Sequence, residues 1–260
     1  MPSASRPCAS APLRILRLVV AASLAIASGV AAAADLTVSA AASLTNAFQE
    51  IGTAFEAANP GTKVRFNFAA SGPLLQQIAR GAPVDVFASA DQETMNQAEQ
   101  QKLIRPGTRA NFVRNVLVVV GPFDRPPARS LDDLVRPAVR QVAIGVPASV
   151  PVGRYTHAAL ERAGIWAPIE AKMIGAQSVR QALDYVARGE VDAGFVYATD
   201  AALLPARVRV AFTVPTDMRV RYPIAVVAGS RNGGDAQKFA AYVLSTPAQA
   251  TLRKHGFTTP

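Results

Sequence analysis

Beyond residue 34 the chain alternates between short β-branched runs and longer segments with apolar residues at helical spacing. Residues 36–40 and 115–120 show the first pattern, and residues 43–58 and 178–188 show the second. We predict further strands at 63–68, 84–88, 141–146, 193–197, 207–212 and 223–228, and further helices at 73–80, 153–163 and 236–244. Such alternation is typical of parallel sheets covered by helices on both faces, so it predicts an α/β fold.

Four strand-to-helix junctions carry small or capping residues where the helix is predicted to begin. They lie at 40–44, 69–73, 150–153 and 176–179. Ligands in open α/β sheets bind beyond the carboxyl ends of strands, and the first turn of a helix offers unpaired N–H groups to an anion. A single junction of this kind is ordinarily just a capped helix. An anion site requires several of these ends to converge.

Residues 1–34 have the pattern of a secretory signal peptide. Arg6, Arg14 and Arg17 precede an apolar stretch at 18–30, and four alanines follow before Asp35. The single cysteine, Cys8, precedes the apolar stretch, whereas a lipid-anchored cysteine would follow it. We therefore expect a cleaved leader and a periplasmic protein without a lipid anchor.

Composition and spacing argue against several other functions. The net charge of +9 suits an anionic ligand, but the basic residues are dispersed, so nucleic acid is not an expected partner. His157 and His255 have no metal-ligand spacing, and no phosphate-binding or dinucleotide loop occurs. The carboxylates near strand ends or in helices are interpreted as solvated or capping residues: Asp85, Asp91, Asp184, Asp192 and Asp200.

An enzyme is a second hypothesis of another class. Ser71 lies at a strand-to-helix turn and would be the nucleophile of a serine-dependent hydrolase, but its surroundings lack Gly-x-Ser-x-Gly. Tyr197 ends a predicted strand and has two interpretations. It is either a half-buried ring with a solvated hydroxyl or a donor aimed at a ligand.

Eight short stretches beyond residue 34 form a recognisable series in a fixed order. They are Ala-Ala-Ser-Leu-Thr-Asn-Ala at 41–47, Phe-Ala-Ala-Ser-Gly at 68–72, the segment 81–91, Val-Pro-Val-Gly-Arg-Tyr at 150–155, 179–183, 195–200, 222–227 and 256–257. Together these stretches resemble the periplasmic molybdate-binding proteins of ABC importers. The resemblance implies a type II periplasmic binding protein fold, with two α/β lobes joined by a two-crossing hinge. Lobe I would comprise 35–115 and 223–260, and lobe II would comprise 116–222.

The resemblance also implies a site. Ser43 and Ser71 would each give a hydroxyl and an N–H, Val152 and Val179 a backbone N–H, and Tyr197 its phenol. The ligand would be molybdate or tungstate, with sulfate as an alternative. Molybdenum would be present only within the oxyanion, and no cofactor and no catalysis are expected. The partners would be an importer permease and its ATPase, and the protein would be a monomer.

Two positions depart from the family pattern. Val152 stands where alanine is frequent, and Gly72-Pro73 replaces a more polar run, which removes one N–H donor. We further expect no arginine, whether Arg80, Arg154 or Arg180, to contact the anion directly.

Overall fold

The fold was examined in a computed structural model that describes residues 1–4, 34–216 and 219–259. The internal contacts separate Met1–Ala33 from Ala34–Pro260, and every strand and helix below belongs to the second unit. The predicted signal peptide at 1–34 falls almost wholly outside the described residues. Within the described residues, no helix is long and apolar enough to cross a membrane.

Two five-stranded sheets form the framework of the described part of the chain. Their strands are β1 (Ala34–Ala41), β2 (Thr62–Ala69), β3 (Val86–Ala88), β4 (Ala110–Asn115), β5 (Leu117–Pro122), β6 (Val142–Gly145), β7 (Met173–Ala176), β8 (Ala193–Tyr197), β9 (Val208–Thr213) and β10 (Val220–Val226). The first sheet has the order β2-β1-β3-β10-β4, and the second has the order β7-β6-β8-β5-β9.

The chain passes between the sheets twice, which corresponds to the two crossings that we predicted. It leaves the first sheet through Val116, between β4 and β5, and returns between β9 and β10. β10 begins at Val220, three residues before the predicted start at 223. Pro223 therefore lies inside the strand, at the point where its pairing with β4 shifts register. A proline normally marks a strand's first residue or a bulge, and here it marks the bulge.

The expectation of parallel sheets is only partly correct. β1 pairs in parallel with β2 and β3, and β6 pairs in parallel with β7 and β8. However, β10 runs antiparallel to β3 and β4, and β5 runs antiparallel to β8 and β9. These two strands directly follow the crossings, so the antiparallel pairs result from exchange of the chain between sheets.

Helices cover both sheets in the described residues. They are α1 (Thr45–Ala58), α2 (Ser71–Ala79), α3 (Gln92–Gln100), α4 (Leu131–Val135), α5 (Pro151–Arg162), α6 (Trp166–Glu170), α7 (Val179–Ala187), α8 (Ala198–Ala201), α9 (Gly233–Val243) and α10 (Thr246–Lys254). The sequence pattern missed α3, α4, α6, α8 and α10, as well as β4 for all but its last residue and the whole of β7. Several of these elements are short, and the longer helices α3 and α10 are largely polar.

The apolar residues at helical spacing within 43–58 form the inner face of α1. Ala47, Phe48, Ile51 and Phe55 are buried. The Phe48 ring packs 5.7 Å from that of Phe112 in β4, and burying a large apolar side chain contributes about 1.5–3 kcal/mol. This packing fixes α1 on the first sheet and so fixes the position of the turn that precedes it.

Candidate functional site

Four helix starts meet at one small cavity between the two sheets. The cavity is narrow and partly open to solvent. The residues that line it include Ser43, Ser71, Val152, Val179 and Tyr197. The structure therefore brings together all five predicted site residues, and the convergence required by the anion-site interpretation is present. Their direct contact with an anion remains a prediction.

The two serines come from the first sheet. β1 ends at Ala41 and continues as a 3-10 turn over Ala42–Leu44, which places Ser43 in the first turn before α1. Ser71 is the first residue of α2, after the end of β2. The Ser71 hydroxyl oxygen accepts a hydrogen bond from the N–H of Ala90 at 3.0 Å, so its own proton remains available to the cavity.

The two valines come from the second sheet. Pro151 is the first residue of α5 and has no N–H, so Val152 supplies the first N–H of that helix. Val179 opens α7 directly after Ser178, whose side chain caps the helix by accepting from the N–H of Gln181. Because first-turn N–H groups have no partner within the helix, both are free to donate to an anion.

The side chain of Val152 lies against the sheet. A Cβ added at Gly145 in β6 would be 3.0 Å from Cγ1 of Val152, so the two residues are in close contact. The extra bulk relative to alanine is thus packed on Gly145, and the backbone N–H keeps its place in the first turn.

Tyr197 ends β8 and is only 1% exposed. Among the described residues its hydroxyl oxygen has no hydrogen-bond partner. Burial raises the pKa of the Tyr197 phenol well above its usual range, so the group is a proton donor at every physiological pH. The interpretation of a half-buried ring with a solvated hydroxyl is therefore wrong, and the donor interpretation fits.

Comparison with known proteins identifies the family. The family model described as "Bacterial extracellular solute-binding protein" matches residues 36–258. The chain belongs to this family. It is 38% identical over 232 residues to the molybdate-binding protein ModA of Escherichia coli, a match that covers 86% of this chain and 88% of the relative.

Two solved structures are also similar to this solute-binding protein. The substrate-binding domain of a putative molybdenum ABC transporter from Clostridium difficile has 31% identity and a TM-score of 0.67, covering 87% of this chain and 99% of that one. The periplasmic molybdate-binding protein of Azotobacter vinelandii has 24% identity and a TM-score of 0.76, covering 86% and 99%. The predicted α/β, type II periplasmic binding protein fold is confirmed.

The cavity of this solute-binding protein is uncharged among the residues described. Arg80 is an exposed residue at the end of α2. Arg154 in α5 instead pairs with Asp91, Nε to Oδ2 at 2.7 Å, and its Nη2 donates to Thr94 Oγ1 at 2.6 Å. Asp91 also caps α3 by accepting from the N–H of Thr94, so Arg154 ties α5 to the start of α3.

Arg180 makes a second link between the two halves. Its Nε donates to Asp200 at 2.5 Å, and its Nη2 donates to Asn46 Oδ1 at 3.0 Å and to the carbonyl oxygen of Ser43 at 3.4 Å. Arg180 therefore contacts the backbone of a predicted ligand residue without lining the cavity. The sequence did not indicate this role, because a lone arginine in a helix has no distinguishing pattern.

The prediction for the carboxylates was partly wrong. Asp91 does cap a helix, but Asp85, Asp91 and Asp200 are all buried. Burial raises the pKa of Asp200 to about 6, although Arg180 acts to lower that pKa. Asp85 accepts from the N–H of Thr37 and from the hydroxyl of Ser230, so it stabilises the start of β3.

Within the described residues, neither histidine forms a hydrogen bond with Ser71. His157 lies 3.5 Å from Glu161, and Nε2 of His255 lies 3.0 Å from Glu50. No group of three or more metal-ligating side chains occurs within the described ranges. The relatives above are binding proteins, as this family is.

Proposed function

We propose that this solute-binding protein captures molybdate in the cavity and delivers it to an ABC importer. The observation that carries the proposal is the donor set. Ser43, Ser71, Val152, Val179 and Tyr197 surround one small cavity, and the Tyr197 hydroxyl is buried without a partner in the described part of the chain. The 38% sequence identity with the molybdate-binding protein of Escherichia coli supports the same function.

The chemistry of the site suits a fully deprotonated oxyanion. Molybdate and tungstate are dianions at neutral pH and only accept hydrogen bonds, so a lining of hydroxyl and N–H donors satisfies them. Charge-assisted hydrogen bonds contribute roughly 1.5–3 kcal/mol each. Several such bonds, reduced by the free energy of immobilisation and cleft closure, give an affinity between about micromolar and nanomolar.

Tungstate and sulfate are the competing ligands. Tungstate has the same charge and shape as molybdate, so we expect similar affinity. Sulfate is also a bare dianion but is smaller, and the same donors would sit too far from its oxygens to bond all of them at once.

We also propose a location and partners for this protein. Residues 1–34 would direct export and be removed, which leaves a periplasmic protein. A permease and its ATPase would be its partners, and it would act as a monomer. Lobe I would comprise 35–115 and 223–260, and lobe II 116–222, with the anion bound between them and favouring the closed state.

Calorimetric titration of the mature protein tests the ligand. Molybdate and tungstate should bind at least about a hundredfold more tightly than sulfate or phosphate. In a thermal-shift panel, a ligand at a hundred times its Kd should add about 2.7 kcal/mol to the free energy of unfolding. If sulfate binds and molybdate does not, the ligand of the cavity is sulfate and the proposal is wrong. Turnover of an ester that is lost in Ser71→Ala would instead support the hydrolase hypothesis.

A further inference from the structure

A chain of buried polar side chains leads from the cavity to the crossing between the sheets. The hydroxyl oxygens of Ser43 and Tyr222 lie 2.9 Å apart. Nδ2 of Asn115 lies 3.2 Å from the Tyr222 oxygen and 2.8 Å from Thr199 Oγ1. All four side chains are buried, with exposures between 0% and 8%. Tyr222 and Asn115 were not among the residues predicted for the site.

The direction of these hydrogen bonds follows from the backbone. The N–H of Val116 donates to Oδ1 of Asn115 at 2.9 Å, which identifies the other side-chain atom of Asn115 as the NH₂ group. That NH₂ group donates to the Tyr222 oxygen. The phenol must therefore direct its single proton to Ser43, because the opposite arrangement would leave a buried O–H without an acceptor among the described residues.

Ser43 consequently accepts a proton from Tyr222 and keeps its own proton for the cavity. Burial raises the pKa of the Tyr222 phenol well above its usual range, with the charge of Asp200 acting in the same direction, so Tyr222 stays protonated. Ser71 likewise keeps its own proton for the cavity, since its oxygen accepts a hydrogen bond from the N–H of Ala90. The two serines differ in one respect, because Ser43 is oriented by a side chain and Ser71 by the backbone.

We infer that Tyr222 is a specificity-determining positioning residue, which turns the Ser43 proton toward the cavity and so disfavours oxyanions that carry a proton. This inference rests on the proposed function. An anion with an O–H group needs an acceptor in the cavity. Each serine oxygen already accepts one hydrogen bond from the protein and directs its own proton to the cavity, so it has only one lone pair left and is a poorer acceptor for a proton of the ligand. The Tyr197 oxygen could accept such a proton only by leaving its own buried proton unpaired, which is unfavourable.

Molybdate and hydrogen vanadate form a matched pair of probes. At mildly alkaline pH both are tetrahedral dianions of similar size, and only vanadate carries a proton when dilute enough to be monomeric. Calorimetric titration of the wild-type protein should show a preference for molybdate of at least about a hundredfold. Tyr222→Phe should lower the molybdate affinity about tenfold. It should also reduce the ratio of molybdate affinity to vanadate affinity about tenfold, because the freed Ser43 oxygen can then accept the proton of vanadate.

A merely structural role for Tyr222 would behave differently. If Tyr222 acts through Ser43, then adding Tyr222→Phe to Ser43→Ala should leave the molybdate-to-vanadate preference unchanged. Tyr197→Phe is the control, since it removes a hydroxyl from the same cavity without freeing the Ser43 oxygen, and it should not narrow the preference. Should Tyr222→Phe not fold, Asn115→Asp replaces the donor to Tyr222 by an acceptor and should also narrow the preference.

Two results would overturn the inference. One is a wild-type protein that binds hydrogen vanadate as tightly as molybdate, and the other is a Tyr222→Phe or Asn115→Asp variant that weakens both ligands by the same factor. Either result leaves the proposed function intact as long as molybdate binds. A wild-type protein that does not bind molybdate would overturn the proposed function, and the inference with it.

Discussion

The N–H of Gly72 donates to the carbonyl oxygen of Ser149 at 3.1 Å. Gly72 lies in the first turn of α2, and Ser149 lies two residues before the start of α5, so this bond joins the two halves of the molecule beside the cavity. A Cβ added at Gly72 would lie 2.4 Å from the Ser149 oxygen. The departure of Gly72-Pro73 from the family pattern thus has a structural consequence, since only glycine permits this approach.

Gly72→Ala should prevent full closure and lower the molybdate affinity by about a hundredfold, because anion contacts from both halves would no longer form together. Calorimetric titration measures the affinity, and small-angle scattering should show that molybdate no longer compacts the variant. Gly234→Ala is a matched control in α9, since a Cβ there meets no atom within 4 Å. Equal compaction of the Gly72 variant and the wild type would contradict this account.

Arg154→Gln should weaken binding of every anion by a similar factor of about ten, because it breaks a link across the cleft rather than a ligand contact. It leaves the buried Asp91 carboxylate without its ion pair. Arg188→Gln is the control, since Arg188 is exposed and lies 3.8 Å from Glu190. The measurement is the affinity of each variant for molybdate and for tungstate, relative to the wild type. A loss of a thousandfold or more in Arg154→Gln would identify Arg154 as a ligand residue.

Ser43→Ala, Ser71→Ala and Tyr197→Phe should each reduce the molybdate affinity about ten- to a hundredfold, equivalent to about 1.5–3 kcal/mol for one charge-assisted hydrogen bond. Tyr197→Phe should leave the ligand-free protein at least as stable as the wild type, because it removes a buried hydroxyl that has no partner in the described structure. Titration calorimetry and thermal unfolding measure both effects. Ser130→Ala, at an exposed position, is the control. Wild-type affinity in both serine variants would refute the site.

Asp200 should make stability depend on pH. Its pKa is raised from an ordinary 3.8 to about 6, so its contribution to folding is fully present below 3.8 and is lost as the pH rises through about 6. Asp200→Asn stays neutral, and its free energy of unfolding relative to wild type should increase by on the order of 2 kcal/mol over that interval. Denaturant unfolding across this pH range measures the difference.

Asp184→Asn, which changes an exposed carboxyl in α7, controls for the loss of an acidic residue. Arg180 is a charged group that faces Asp200, and the nearby phenols of Tyr197 and Tyr222 stay neutral across this pH range. A constant difference between Asp200→Asn and wild type from acid to neutral pH would show that Asp200 has no raised pKa in the folded protein.

Strong local patterns made much of the fold predictable. The strand at 193–197 has the bounds that were predicted, because its apolar run is continuous and flanked by turn residues. The direction of β5 and β10 was not predictable, since strand direction depends on which sheet a strand joins after a crossing. α3 was missed because its exposed face is polar and its helix start depends on the Asp91 cap.

Local patterns indicated some residues around the cavity and not others. Ser43, Ser71, Val152, Val179 and Tyr197 lie at junctions or strand ends, where the sequence pattern shows them. Tyr222 and Arg180 act through partners far away in the chain, at separations of 179 residues from Ser43 and 134 from Asn46. Contacts of that range arise only when the sheets are assembled, so no local pattern could indicate them.

The five proposed contacts are divided between the two sheets, with both serines on one side and the two valines and Tyr197 on the other. Neither half alone can satisfy a dianion, so retention of the ion depends steeply on the angle between the halves. A small outward rotation would separate the whole donor set at once and expose the ion to water. A membrane partner that holds the two halves apart would therefore release its cargo without any change in protonation or chemistry at the site.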